Sequence, residues 1–160
     1  DLANKVNQIL PVMLDSGAFD PDSVEEALQV SDKVIVATET LQTLDDLDRI
    51  LRQCDKERII ISIDVVDNRI YTKHIKIDFE SLRKILTEHQ PLQIIILDIS
   101  NVGCEGGINW KLLNHFAGLE SSIIFGGGVT AEDILKLDGK IIDNVLVGTA
   151  LHQGKIKPVF

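Results

Sequence analysis

The sequence predicts an α/β fold in which the strands of a parallel sheet alternate with helices. Six short runs rich in Ile, Val and Leu recur along the 160 residues, at positions 10–14, 33–37, 58–64, 92–99, 122–125 and 144–147. Each run is almost continuously apolar, which is typical of strands buried on both faces of a parallel sheet. Helical patterns separate the runs. This alternation fits either an open doubly wound sheet or part of a closed barrel.

Capping residues mark where the helices between these strands begin. Asp20 is followed by Pro21, and proline is frequent at the first helical position. The same kind of start precedes three later apolar patterns, at Thr43, Asn109 and Thr130. Further helical patterns cover residues 2–9 and 79–86. Because no linker or low-complexity tract separates these units, we expect one domain over residues 1–160.

Two segments of the chain match at a constant offset, which favours the barrel. Each contains a strand, a turn, a helix, a second strand and a second turn. The two turns contain Gly17 and Ala37 in the first segment, and Gly128 and Gly148 in the second. In each segment these two residues are 20 positions apart. Such a repeat is expected of a barrel built from two half-barrels. An open sheet gives no reason for its ligand loops to repeat.

Composition limits the classes of partner. The formal charge of −9 and the aromatic content of 4 % argue against nucleic acid and anionic membranes as partners. Cys54 and Cys104 form neither a disulfide framework nor a metal-ligand pattern, and the histidines lack ligand spacing, so no metal or other cofactor is expected. We expect a cytoplasmic protein, because the apolar runs are too short to cross a bilayer and the thiols suit a reducing compartment. A homo-oligomer is compatible with this composition.

Glycine-rich turns follow the last two predicted strands. Gly126, Gly127 and Gly128 end one strand and precede a helix, and Gly148 with Thr149 ends the next strand. Glycines let backbone N–H groups approach an anion without interference from Cβ atoms, and the threonine hydroxyl adds a donor. Because consecutive parallel strands end side by side, the five residues predict one phosphate-binding site for a phosphorylated small molecule.

Several motifs resemble those of the histidine-biosynthesis isomerase/cyclase (HisA/HisF) family. Residues 124–134 (IFGGGVTAEDI) are similar to its glycine turn after strand seven, and residues 145–156 (VLVGTALHQGKI) to its closing segment. Residues 62–64 (SID) resemble its strand-five segment, and residues 97–109 resemble the strand and glycine-rich loop that come next. The resemblance implies a TIM (β/α)₈ barrel, of which this chain covers strands three to eight. The family's first two strands would precede residue 1, so we expect the natural protein to be longer.

The resemblance also implies an activity. The family binds sugar phosphates that carry two phosphate groups, one at each half-barrel, and its isomerase converts an aminoaldose to an aminoketose. That reaction uses one acid on strand one and another on strand five, and Asp64 occupies the strand-five position. Asp15 and Asp98 also end predicted strands. The three carboxylates are therefore our candidate catalytic residues, for acid–base chemistry or to hold a hard cation.

The candidate active site departs from the family pattern. Leu97 replaces a threonine on strand six, Val102 replaces an aspartate in the next loop, and Val66 replaces a lysine two residues after Asp64. In the first half-barrel, Asp15 stands where the family has glycine, and a carboxylate there would repel a phosphate. We therefore expect one phosphate site, and a substrate that is a monophosphate or has a neutral or cationic second end.

Three functions fit these observations. We favour an isomerase or lyase that acts on a phosphorylated, ribose-type metabolite outside histidine synthesis, similar to divergent relatives of the family in methanogens. An authentic histidine-pathway ribotide isomerase is the first alternative. A non-catalytic phosphometabolite-binding or regulatory subunit is the second, since a fold alone does not define an activity.

Overall fold

The computed structural model describes residues 2–104, 106–137 and 141–157. Its strands are β1 (Met13–Asp15), β2 (Lys33–Ala37), β3 (Ile59–Val66), β4 (Arg69–Ile70), β5 (Gln93–Asp98), β6 (Ser122–Gly126) and β7 (Asn144–Leu146). Its α-helices are α1 (Leu2–Asn7), α2 (Pro21–Leu28), α3 (Leu44–Gln53), α4 (Phe79–His89), α5 (Trp110–Leu113), α6 (Ala131–Lys136) and α7 (Thr149–His152). Three 3₁₀ turns lie at Lys56–Arg58, Ile99–Asn101 and Asn114–Phe116.

The strand order distinguishes between the two architectures that the sequence left open. The sheet runs β1-β2-β3-β5-β6-β7, all parallel, and β4 pairs with β3 in the antiparallel sense. Each parallel strand therefore lies beside its predecessor, with no reversal of order. An open doubly wound sheet reverses its strand order at a switch point, whereas a barrel does not. The prediction of six consecutive strands of a (β/α)₈ barrel is confirmed, and β1 and β7 form the two edges of the sheet.

The sheet has two faces with different surroundings, because successive side chains of a strand point to opposite sides. The outer face packs against the helices in one large apolar core, to which Ile61 and Ile63 of β3 contribute. On the inner face, Ile60, Ile95 and Ile124 form a small separate cluster. Alternation along β3 places Ser62 and Asp64 on the inner face with Ile60. The inner face of the barrel is therefore where functional side chains at the strand ends gather.

Helix starts agree with the sequence-based expectations. Asp20, Thr43 and Thr130 each accept a hydrogen bond from a backbone N–H in the first turn of the helix that follows, and each forms a reciprocal capping box. Asn109 accepts a hydrogen bond from the N–H of Leu112, at 3.1 Å. Caps of this kind satisfy N–H groups that have no partner inside the helix. Within the described residues, no helix is long and apolar enough to cross a membrane.

An antiparallel hairpin was not anticipated from the sequence. β3 continues to Val66, and the chain turns back through Asp67 and Asn68, which have φ angles of 50° and 58°. Two consecutive residues with positive φ make the tight turn that suits a two-residue hairpin, and Asp and Asn tolerate this conformation. The segment after β4 is thereby directed over the ends of β2 and β3, where the N–H of Tyr71 donates to the carbonyl of Asp64 at 2.7 Å.

Candidate functional site

A cavity of about 290 Å³ lies at the C-terminal ends of β5, β6 and β7. The five residues predicted to bind phosphate all line it, namely Gly126, Gly127, Gly128, Gly148 and Thr149. They come from two loops that are 20 residues apart in the sequence, and the parallel pairing of β6 with β7 brings these loops together. The structure thus brings together all members of the predicted phosphate site.

The glycines of this cavity allow two loops to pack closely. Gly127 and Gly128 have φ angles of 110° and 69°, which side chains rarely adopt. A Cβ atom at Gly127 would lie 2.3 Å from the carbonyl oxygen of Asp98, which is far inside contact distance. The carbonyl of Gly128 accepts a hydrogen bond from the N–H of Gly107 at 3.1 Å. The loop after β6 is therefore fixed against the loop after β5.

The described lining of the cavity consists of backbone groups and uncharged side chains. Among the described residues that line it, none carries a charged side chain, although the whole chain has a formal charge of −9. At the start of α7, the N–H groups of Thr149 and Ala150 have no hydrogen-bond acceptor within the helix, because no helical carbonyl precedes them by one turn. Backbone N–H groups and a hydroxyl can hold a phosphate inside an acidic protein, because they place partial positive charge where the anion sits.

Asp64 lies at the end of β3 on the inner face, and only 7 % of its surface is exposed. Burial raises the pKa of its carboxyl group above the usual value, and the nearby charges of Glu39 and Asp15 raise it further. The Ser62 hydroxyl and the Lys73 ammonium group oppose this rise. A carboxyl group in such an environment can exchange protons at a higher pH than an ordinary aspartate, as general acids and bases do.

Glu39 and Lys73 stand beside Asp64 but carried no signal in the sequence. The Lys73 ammonium lies 3.4 Å from a carboxylate oxygen of Glu39, and the Lys73 N–H donates to the Glu39 carbonyl. The unanticipated hairpin is responsible, because it directs the chain after β4 back over β2. No motif or spacing could have paired two residues 34 positions apart in two loops.

Asp15 and Asp98 occupy different places. Asp15 ends β1, is exposed, and lies close enough to Asp64 to raise its pKa. Asp98 is 2 % exposed and pairs in register with Val65, on the outer face that packs against the helices. One carboxylate oxygen of Asp98 accepts hydrogen bonds from the side-chain amides of Asn101 and Asn109, at 2.9 and 2.8 Å. Asp15 and Asp64 are therefore close enough to interact electrostatically, whereas the Asp98 side chain lies on the other face of the sheet.

The threonines that correspond in the internal repeat, Thr38 and Thr149, differ in their partners. Thr38 is fully buried, and its hydroxyl donates to the carbonyl of Tyr71 and accepts from the N–H of Asp64, both at 3.3 Å. Thr149 is partly exposed at the cavity, and its hydroxyl has no hydrogen bond to the described residues. The backbone turns that precede the helices do match, since Gly17 and Gly128 have φ angles of 74° and 69°.

One group of potential metal ligands occurs among the described residues, namely Asp48, Glu88 and His89. Arg52 already bridges it, at 2.9 Å from Asp48 and 3.1 Å from Glu88, and His89 lies 2.8 Å from Asp48. The guanidinium group supplies the positive charge that a metal ion would bring. The group is thus a salt-bridge network that joins α3 to α4.

The fold and the strand-end loops define a parallel βα-barrel protein with a cavity at the C-terminal ends of its strands. The sequence model of a family described as "Histidine biosynthesis protein" matches residues 1–157, and the chain belongs to this family.

The relatives are similar over most of this chain. An uncharacterized protein of Methanocaldococcus jannaschii is 28% identical over 93% of the chain and 61% of its own length. A phosphoribosyl imidazole-4-carboxamide isomerase of Methanococcus voltae is 27% identical over 92% of the chain and 64% of its own length. An isomerase of the same name from Dictyoglomus turgidum is 32% identical over 94% of the chain and 66% of its own length. The chain thus spans a little under two thirds of these relatives.

Proposed function

We propose that the protein binds a phosphorylated metabolite and acts on it as an isomerase or lyase, with Asp64 as the catalytic acid or base. The observation that carries this proposal is the arrangement of two glycine loops around a cavity whose described lining has no charged side chain, two strands from a buried carboxyl group with a raised pKa. The phosphate would be held by Gly126, Gly127, Gly128, Gly148 and Thr149.

The register of the sheet supports a single ligand that reaches both groups. Asp64 pairs with Leu97, and Leu97 pairs with Gly126. Asp64 and Gly126 are therefore two strand spacings apart, which corresponds to roughly 10 Å between their backbones. A phosphate monoester of moderate length spans this distance. Its phosphate would lie at the glycine loops while a carbon atom near its other end reaches the Asp64 carboxyl group.

We propose one phosphate per ligand rather than two. In the first half-barrel, the Thr38 hydroxyl is engaged by Tyr71 and Asp64, and Asp15 contributes a negative charge. Both features disfavour a second anion there, because the anion would meet a carboxylate and a threonine hydroxyl that already has two partners. The cluster of Asp15, Glu39 and Asp64 suits a neutral or cationic end of the ligand instead.

For Asp98 we propose a positioning role. Its carboxylate faces the helices and holds Asn101 and Asn109, so it fixes the loop against which Gly127 packs. Asp98 would then act on the ligand only through that loop, and Asp64 would be the carboxyl group that contacts it. Asp15 would contribute through its charge, which raises the pKa of Asp64.

The authentic ribotide isomerase is the second candidate, because two of the relatives described above carry that name. Leu97 and Val102 disfavour it, since they place apolar side chains where the family pattern has polar ones. Complementation of a histidine auxotroph that lacks the isomerase, using the full-length natural protein, tests this candidate. Growth would favour the ribotide isomerase, and absence of growth with a soluble, phosphate-binding protein would favour a different substrate.

Binding and catalysis are tested separately with an Asp64→Asn variant. The amide has the shape of the carboxylate but cannot exchange the proton, so we expect turnover of the substrate to fall at least about a hundredfold. The dissociation constant for ribose 5-phosphate should change less than about threefold, because the phosphate loops are untouched. If the variant retains full turnover, Asp64 is not the catalytic group. If turnover is absent from the natural protein while phosphate binds, the non-catalytic binding protein is favoured.

A further inference from the structure

The phosphate cavity has an apolar wall directly beside its glycine loops. Leu97 of β5 and Leu146 of β7 flank Gly126, with which both pair in register. A Cβ atom at Gly126 would lie 2.9 Å from Cδ1 of Leu97 and 3.2 Å from Cβ of Leu146. Gly126 therefore does more than expose its backbone, because its missing side chain lets the two leucines approach each other over the strand.

Apolar surface of this wall is open to solvent. Val102, which lines the cavity from the loop after β5, is 55 % exposed. When a ligand covers apolar side chains that were in contact with water, the burial of their surface stabilises the complex. The wall is continuous with the glycine loops, so the part of the ligand that covers it must be the part next to the phosphate.

The same wall offers few hydrogen-bond partners to a hydroxylated ligand. Among the described residues that line the cavity, only Cys104 and Thr149 have polar side chains, and Thr149 belongs to the proposed phosphate site. A sugar hydroxyl placed against Leu97 or Val102 would leave water without gaining a hydrogen-bond partner. Each such hydroxyl weakens binding by about tenfold or more.

We propose that the ligand carries an apolar group, aromatic or aliphatic, immediately next to its phosphate. The substrate class is thus a phosphate monoester of an apolar alcohol rather than of a polyhydroxylated sugar. This inference rests on the proposed phosphate site. The cavity, about 290 Å³, is just smaller than the usual range for small-molecule sites, about 300–1,000 Å³. A phosphate and one ring-sized group would occupy it, and Leu97 would direct the rest of the ligand towards Asp64, its partner in register.

Isothermal titration of three probes tests the inference, namely benzyl phosphate, ribose 5-phosphate and inorganic phosphate. We expect benzyl phosphate to bind at least about tenfold more tightly than ribose 5-phosphate. In a Leu97→Thr variant, the ratio of the two dissociation constants should fall towards one. Leu135→Thr is the matched control, because Leu135 is 86 % exposed on α6 and does not line the cavity, and it should leave the ratio unchanged. A ratio measured within one variant is insensitive to a partial loss of folded protein.

The outcomes separate this inference from the proposed phosphate site. If inorganic phosphate binds and ribose 5-phosphate binds as tightly as benzyl phosphate, the apolar class is wrong and the phosphate site stands. If benzyl phosphate is preferred but Leu97→Thr keeps the full preference, the assignment to this wall is wrong. If none of the three probes binds, the inference is overturned together with the proposed function.

Discussion

At the scale of single residues, the glycines of the cavity differ in whether the packing of the loops requires them. Gly127 is required by the fold, since a Cβ atom there would overlap the carbonyl oxygen of Asp98. Gly148 has no atom within 4 Å of the position that a Cβ would occupy. A substitution at Gly127 therefore disturbs loop packing and ligand binding together, whereas Gly148 permits a test of binding alone.

A Gly148→Asp substitution should weaken the binding of inorganic phosphate at least about tenfold, because it adds a negative charge beside the proposed anion. Gly148→Asn is the matched control, since asparagine has the same size and similar backbone demands without the charge. We expect the two variants to have melting temperatures within about 2 °C of each other. Equal phosphate affinities of the two variants, measured by titration calorimetry, would show that the anion does not bind at this loop.

The carboxyl group of Asp64 predicts a pH dependence of stability. Its pKa is raised in the folded protein by burial and by Glu39 and Asp15. Between the unfolded pKa, about 3.9, and the higher folded pKa, the native state holds more protons than the unfolded state. This group therefore destabilises the fold progressively as the pH rises through that window, and the penalty is complete above the folded pKa.

Asp64→Asn should accordingly raise the melting temperature at pH 7, because it removes a buried charge. The difference from the natural protein should shrink as the pH falls through the window, because protonation of the native carboxyl group removes the buried charge. Thermal denaturation followed by circular dichroism across this range measures the effect. A variant that is less stable than the natural protein at pH 7 would contradict the proposed environment of Asp64.

The positions of the glycine loops and Asp64 at strand ends could be predicted from the sequence, because strand ends in a parallel sheet can be located from apolar runs. Glu39 and Lys73 could not be predicted in this way, because their proximity depends on a hairpin turn at Asp67 and Asn68. A two-residue turn of this kind has a weak signal when the second strand is only two residues long. The side chain of Asp98 illustrates a further limit, since its partners lie in a loop of irregular structure.

At the scale of elements, three loops form one connected unit at the strand ends. The N–H of Asp67 donates to the Ser100 hydroxyl at 2.9 Å, and Ser100 donates to a carboxylate oxygen of Asp67 at 3.3 Å. Asp98 then holds Asn101 and Asn109 in the same loop. The hairpin above Asp64 and the cavity at the glycine loops are therefore linked through the loop after β5.

Asp98→Ala should lower the free energy of unfolding by about 2–4 kcal/mol, because two amides lose a charged acceptor in a buried setting. It should also weaken phosphate binding, since the loop loses its support. Asp98→Asn keeps one acceptor oxygen and should recover part of both losses. Asp32→Ala, at an exposed aspartate, should change stability by less than about 0.5 kcal/mol. Urea denaturation and phosphate titration of these variants provide the measurements, and full phosphate affinity in Asp98→Ala would contradict the positioning role.

At the scale of the whole molecule, one apolar core connects every parallel strand to the helices. The outer-face cluster includes Val24 of α2, Leu47 of α3, Leu82 of α4 and Leu112 of α5. The sequence allowed this architecture to be predicted because buried parallel strands read as continuous apolar runs. The order of strands in the sheet could only be argued from the internal repeat and the family resemblance, since apolar runs do not specify which strands are neighbours.

Because the core is continuous, we predict that the described part of the chain unfolds as one unit. Ile63→Ala, at a fully buried position in β3, should lower the free energy of unfolding by about 2–5 kcal/mol. The fluorescence of Trp110, the single tryptophan, and the far-ultraviolet circular dichroism should shift to lower urea concentration together. Two transitions that separate in the variant would indicate two domains instead of one.

We propose above all that the protein holds one phosphate, at the loops after β6 and β7. The most direct measurement is a crystal structure of the full-length natural protein soaked with inorganic phosphate. We expect density for the anion within hydrogen-bonding distance of Gly127, Gly128, Gly148 and Thr149, and none beside Asp15 and Thr38. A phosphate beside Asp15 and Thr38, or at neither pair of loops, would contradict the claim.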